Sequence, residues 1–291
     1  MKNIFYNAKE QVRPGFLLLI SVLIMFLALF AASFAAGLIS VIWPNATIYT
    51  SIGSAPATIL YSLIYGLCAW WLSKIVFKKL FPLEELAMID CYSFHQKTWK
   101  NLGGGMLLGI VAFIAAVLPL YLTGAYRLEF TGINIIPLLL YLFFFTSVGL
   151  LEEVITRGLM QHTLMRYNKW AALVLVSIVF AALHLTNPNV TFASILGIFL
   201  AGIFLGMSMY ATGSLTVAIG AHITWNWIQS SVLGIPVSGM ELEGNVFQTT
   251  IVGTNELVTG GAFGAEASLS CFIVLIVISF ALYLYMVRSK T

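Results

Sequence analysis

Three short motifs in this chain collect the residue types that hydrolytic chemistry needs. The first is Leu151-Glu152-Glu153-Val-Ile-Thr-Arg157, the second Phe180-Ala-Ala-Leu-His184, and the third His222-Ile-Thr-Trp-Asn226. On a helix Glu153 and Arg157 are i,i+4, so they share a face and can form an ion pair. Glu152 lies ~100° round the same helix, escapes that pairing and is left free to face a cavity. His222 and Asn226 are also i,i+4 and can point into one cavity. A carboxylate held away from water is a competent general base near neutrality. A histidine beside it can hold the water, while another histidine and an amide can donate to the oxyanion of a tetrahedral intermediate, at roughly 3–4 kcal/mol per donor. Glu152, His184 and His222 with a water would also make a zinc site. Spacing does not separate the two.

Other hydrolytic sites are missing. The only aspartate is Asp90, in a loop, so a two-aspartate protease is excluded. The chain has no His-Glu-x-x-His helix, no Gly-x-Ser-x-Gly elbow and no phosphate-binding glycine loop. Cys68 and Cys271 sit in apolar runs without a basic neighbour, which argues against a nucleophilic thiol. Three cysteines, the third being Cys91, are too few and too scattered for a disulfide framework or a zinc cluster.

The elements that must position these motifs follow from composition. Charged residues are 9% and apolar residues 60% of the 291, with a mean hydropathy of +0.97. A soluble globule lacks the polar surface to cover that much apolar area. The net charge of +3 is too small to imply a nucleic acid partner. Charge-free stretches run from Arg13 to Lys74 and from Trp170 to Met240. Broken at Pro44-Asn45, Asn187-Pro188 and Thr212-Gly213, they and the remaining apolar runs predict spans near 15–43, 55–77, 102–123, 133–165, 170–186, 190–211, 214–233 and 268–287. The expected fold is an all-α polytopic membrane protein of about eight transmembrane helices.

Lys and Arg favour cytoplasmic loops. Lys2, Lys9, Arg13, Lys74, Lys78, Lys79, Lys97, Lys100, Arg166, Lys169, Arg288 and Lys290 all fall on one side of this arrangement. The other side carries Arg127 and the acids Glu129, Glu241, Glu243, Glu256 and Glu266. Both termini are therefore expected in the cytoplasm of a multi-pass cell-membrane protein, bacterial in character, with the first span an anchor and not a cleaved signal. The chain divides into helices 1–3 over residues 1–132, including a polar cytoplasmic loop 78–101 with a short interfacial helix, and a catalytic core over 133–291, including a Gly-rich acidic outer loop 234–267. Both parts belong to one integral membrane domain.

Depth then gathers the motifs. At ~1.5 Å per residue, Glu152, His184, His222 and Asn226 all reach a layer near mid-membrane. A lone His or Asn in a membrane helix most often serves as interhelical glue. Six polar residues at one depth exceed what glue requires, because each is costly there. His162, near the cytoplasmic end, reads as interfacial or packing, His95 as solvated, and Phe180 as packing.

Glu-Glu-x-x-x-Arg, then Phe-x-x-x-His, then His-x-x-x-Asn resembles the CAAX protease and bacteriocin-processing family (CPBP, or Abi) of intramembrane endopeptidases, which includes the type 2 CAAX prenyl proteases. Gly213-Ser-Leu-Thr-Val-Ala-Ile-Gly-Ala-His222, Trp225-Asn226-Trp227 and Gly260-Gly-Ala-Phe-Gly-Ala-Glu266-Ala-Ser are similar to segments of bacterial members. The resemblance covers about 148–230 and 257–270. It implies that Glu152 with His184 activates water, that His222 and Asn226 stabilise the oxyanion, and that Glu153 and Arg157 orient the site. It implies a peptide or membrane-protein substrate within the lipid bilayer. Thr156 departs from the family's usual aromatic residue before the arginine. Family members have been called metalloproteases; a metal-free glutamate mechanism is favoured here, with no cofactor, because Asn is a poor zinc ligand. The alternative function is a non-catalytic membrane partner on the same scaffold, such as a bacteriocin self-immunity or sensor-regulating protein. Substrate identity and oligomeric state are not legible.

Overall fold

The computed structural model describes residues 95–289, together with 90–92 and most positions of 13–31 and 64–75. The expected spans 15–43 and 55–77 and the loop 78–101 lie largely outside the described residues. The described positions of 15–31 and 64–75 are helical. From there the chain forms α1 (Gln96–Leu122), β1 (Tyr126–Phe130), α2 (Ile135–Leu164), α3 (Lys169–Leu183), α4 (Phe192–Thr212), α5 (Leu215–Trp227), β2 (Phe247–Ile251) and α6 (Leu269–Arg288).

Local sequence sets the ends of these helices. Asn168 accepts from the Trp170 and Ala171 amides to start α3, Thr191 and Ser194 form a reciprocal capping box on α4, and Ser268 accepts from the Cys271 amide to start α6. Such caps contribute ~1 kcal/mol each by satisfying orphan amides. Gly213, at φ 65°, ends α4 in the left-handed conformation that glycine adopts freely.

Among the described residues four helices, α1, α2, α4 and α6, are long and apolar enough to cross a membrane. Their outer faces carry Leu107, Val111, Leu118 and Leu122 on α1 and Ile273, Ile276, Val277 and Phe280 on α6, all exposed. Faces this apolar suit hydrocarbon and not water. By contrast α5 has only 13 residues, and every one from Leu215 to Trp225 is buried. It is the centre of the bundle. Glycines let α1 approach it closely: a Cβ on Gly105 would lie 2.2 Å from the Val217 carbonyl oxygen, and one on Gly109 2.3 Å from that of Ala221. Phe113, Phe204 and Trp225 then fill the space between α1, α4 and α5.

Two expectations need correction. First, α1 starts at Gln96, ahead of the expected 102. Polar Gln96, Lys97 and Lys100 hide this start from a hydropathy reading. Second, the chain is not all-α. β1 and β2 pair antiparallel, with Leu128 opposite Thr249 and Glu129 opposite Gln248. Tyr121 and Thr249 hydroxyls meet at 2.7 Å to tie this ribbon to α1. Two strands of five residues, far apart in sequence, give too weak an alternation to stand out.

Candidate active site

The Glu-Glu motif lies where the winding of α2 changes. Residues Ile135–Glu153 are α-helical, and Val154–Gln161 continue as a π-helix. Such widened turns recur at functional sites because they re-aim side chains within a helix. Arg157, fully buried, donates from Nη1 to Glu153 Oε1 at 2.8 Å and to Thr156 Oγ1 at 2.9 Å, and from Nη2 to the Gly202 carbonyl at 3.1 Å. Its guanidinium stacks 4.2 Å from the Phe180 ring centroid. Glu153, Arg157 and Phe180 thus join α2, α3 and α4. Phe180 is packing, as expected, but it packs against the site itself: its ring lies 4.9 Å from that of His184 and 6.1 Å from that of His222.

Both histidines are oriented through Nδ1. His222 Nδ1 meets Glu153 Oε1 at 2.9 Å. His184, just past the end of α3, meets the Phe180 carbonyl oxygen at 2.8 Å. Carbonyl and carboxylate oxygens accept, so both Nδ1 atoms are assigned as donors from this network. Each Nε2 is then turned toward Glu152, whose Oε2 lies 4.0 Å from His184 Nε2 and 4.0 Å from His222 Nε2. That Oε2 is buried and takes no hydrogen bond among the described residues. The pairing inferred from helical spacing therefore omits a link: Glu153 serves Arg157 and His222 together.

These groups border a cavity of about 480 Å³. Glu152, Thr156, His184, Thr186, Asn187, His222, Asn226 and Ser238 are its polar lining, and Phe144, Phe145, Val148, Leu151, Ile155 and Leu183 are among its apolar lining. A chamber of about 40 Å³ adjoins it, between Phe180, His184, Phe204, His222, Asn226, Ser238 and Glu266; at ~10–15 Å³ per water it holds about three or four. The Asn226 side chain borders both spaces, and its amide makes no hydrogen bond among the described residues. A larger pocket of about 1150 Å³, lined by residues from 131–134 and from the stretch between Gly234 and Ala262, contains none of the six motif residues.

The donor set does not fit zinc as it stands. Ligands ~2.0–2.1 Å from a tetrahedral zinc are ~3.3 Å apart, whereas Glu152 Oε2 is 4.0 Å from each imidazole. Among the described residues no group of three or more His, Cys, Asp or Glu gathers to hold a metal ion.

His162 is buried, on the packing side of its two expected readings, and His95 is exposed. Glu266 is the residue whose place sequence did not indicate. Sequence places it only among the acids of the outer loops; it is 3% exposed and borders the chamber beside His222. Burial pushes its carboxyl up to about 7. The signal that could have found it is its setting, since Gly260, Gly261 and Gly264, all at positive φ, lead the chain inward.

Residues 134–228 match the family model Rce1-like, described as type II CAAX prenyl endopeptidase Rce1-like. The match takes in all three motifs. No curated protein matches the chain.

Proposed function

We propose, from the Rce1-like match over 134–228, that this chain is an intramembrane endopeptidase that hydrolyses peptide bonds in membrane-associated or lipidated substrates by metal-free, glutamate-activated water. The observation that carries the reading is the convergence of Glu152 Oε2 with His184 Nε2 and His222 Nε2, 4.0 Å from each, on a cavity that mixes polar and apolar side chains. Glu152 keeps 27% of its side chain exposed, so the carboxylate is open to a water.

In this reading Glu152 takes a proton from a water that His184 Nε2 holds, and the water oxygen attacks the scissile carbonyl carbon. The oxyanion accepts from the Asn226 amide and from Nε2–H of His222 in its imidazolium form, whose Nδ1–H stays on Glu153. Glu152 returns the proton to the nitrogen as the C–N bond breaks, leaving a carboxylic acid and an amine, between which the remaining proton equilibrates in water. Glu153 and Arg157 touch no reacting atom and hold His222 in place. The cavity's apolar lining accepts an apolar substrate side chain or lipid. We extend the proposal to topology: eight spans, both termini cytoplasmic, in a cell membrane.

The test is cleavage of a panel of lipidated and unmodified peptides by purified protein in liposomes. Glu152→Ala, His184→Ala and His222→Ala are each expected to lower kcat by at least about 10²-fold, the scale of general acid–base and oxyanion contributions. Wild-type rates in all three sink the reading. Loss of cleavage on adding a chelator, restored by zinc, sinks its metal-free form. A cellular phenotype that survives Glu152→Gln favours the non-catalytic partner instead.

A further inference from the structure

Glu266 stands outside the chemistry described above, yet both its oxygens are committed to one wall of the site. Oε1 accepts from the Ser238 amide at 3.1 Å, and Oε2 from Gln229 Nε2 at 2.5 Å. Gln229, fully buried just beyond α5, donates from the same nitrogen to the Pro236 carbonyl at 2.6 Å. Pro236 and Ser238 are thus held by one carboxylate, directly and through an amide.

Ser238 is one of two non-glycine residues at positive φ among those described, at 49°. That conformation is strained for a residue with a Cβ and persists only where its surroundings impose it. Here they do: Glu266 takes its N–H, and Asn187 Nδ2 donates to its carbonyl at 3.1 Å. Gly239 is held next to it, its amide on the Phe263 carbonyl at 2.7 Å. Ser238 borders both the main cavity and the chamber, as do His184, His222 and Asn226.

The approach of Glu266 is built in. Gly264, at φ +115°, would carry a Cβ 2.0 Å from the Pro236 carbonyl oxygen and 2.8 Å from Glu266 Oε2. A Cβ on Gly197 of α4 would lie 1.9 Å from the Glu266 backbone oxygen. Only glycine at both places lets the carboxylate reach its partners.

We propose that Glu266 is a positioning residue that holds Pro236–Gly239 as the outer wall of the catalytic cavity, with Ser238 presented to the backbone of an extended peptide substrate. The role rests on the endopeptidase reading for its substrate, but not for its geometry. Losing the clamp frees Ser238 to relax to negative φ, which moves the wall while leaving Glu152, His184, His222 and Asn226 intact.

Two measurements test it separately. In full-length Glu152→Ala protein with Cys68 replaced, Ser238→Cys is labelled by a thiol-reactive maleimide, with buried Cys91 and Cys271 reporting that the fold is intact. Adding Glu266→Ala, or Glu266→Gln if the alanine variant does not fold, is expected to speed labelling at least about fivefold by raising local opening. An unchanged rate overturns the clamp whether or not the protein cleaves anything. With a cleaved peptide, Glu266→Gln is expected to lower kcat/KM about tenfold, mainly through KM, as misalignment of a bound substrate does. Adding Ser238→Gly is expected to recover part of that loss, because glycine holds positive φ unaided. A loss in kcat alone that Ser238→Gly does not touch overturns the role. Wild-type protein that cleaves no peptide counts against the endopeptidase reading, and labelling alone then decides the clamp.

Discussion

Arg157 is the side chain on which the others depend. It is fully buried, pairs with Glu153 and lies over the Phe180 ring. Removing one partner of a buried pair leaves the other charge uncompensated, at ~3–5 kcal/mol. Arg157→Ala is therefore expected to lower stability by about that much, read as a fall in Tm in detergent. Arg157→Lys is also expected to destabilise, since an ammonium cannot both fork to Glu153 and Gly202 and stack on the ring. Glu266 supplies a second test. An unfolded glutamate titrates near 4.5, and the buried one near 7. Between these values the folded chain keeps a proton that the unfolded chain has lost, so stability falls as pH rises through that window. Wild-type Tm is expected to drift downward from about pH 5 to about pH 8, with the drift reduced in Glu266→Gln. Tyr126, Cys271 and His222 face the same carboxylate and are present in both proteins, so the difference between the two profiles is the readout. A slope identical in both would refute it. At this scale the Glu153–Arg157 pair was legible, because i,i+4 spacing survives into the π-turn. Glu153 on His222 was not, because it joins residues 69 apart in the chain.

At the scale of elements, α5 carries His222 and Asn226, and its neighbours fix its place. Asp90 accepts from Ser214 Oγ at 2.6 Å, the Thr216 amide at 3.0 Å and Thr216 Oγ1 at 2.7 Å, and also from Asn101 Nδ2 at 2.8 Å. This carboxylate caps α5 and fastens it to α1. Asp90→Ala is expected to cost ~1–2 kcal/mol, the range of a lost N-cap, and to lower cleavage although the residue lies at the far end of α5 from Asn226. Gly109→Leu is expected to do more, since any side chain there meets the Ala221 backbone one residue before His222. Parallel thermal melts and cleavage rates check both, and a Gly109→Leu protein indistinguishable from wild type would refute the close packing. Positions of the described helices from α1 onward followed from apolar runs and the breaks between them. The π-turn did not, because winding depends on which partners Arg157 finds across the bundle. Asp90 had been read from sequence only as evidence against an aspartic site.

At the scale of the whole molecule the apolar outer faces and the sidedness of Lys and Arg make one topology testable. Lys97 and Thr254 are both exposed and lie toward opposite ends of the expected arrangement. In intact cells an impermeant maleimide is expected to label Thr254→Cys at once and Lys97→Cys only after lysis; the reverse pattern would invert the proposed orientation. What sequence determined by itself is what hydrocarbon imposes residue by residue. Each charge is costly in a span, so charge-free stretches mark the helices and the few exceptions, Glu152, Glu153 and Arg157, mark the site. Which side chains meet was decided only by the tertiary structure. The aim of both Nε2 atoms at Glu152, the burial of Glu266 and the strained Ser238 depend on distances between segments far apart in the chain, and only packing sets those distances.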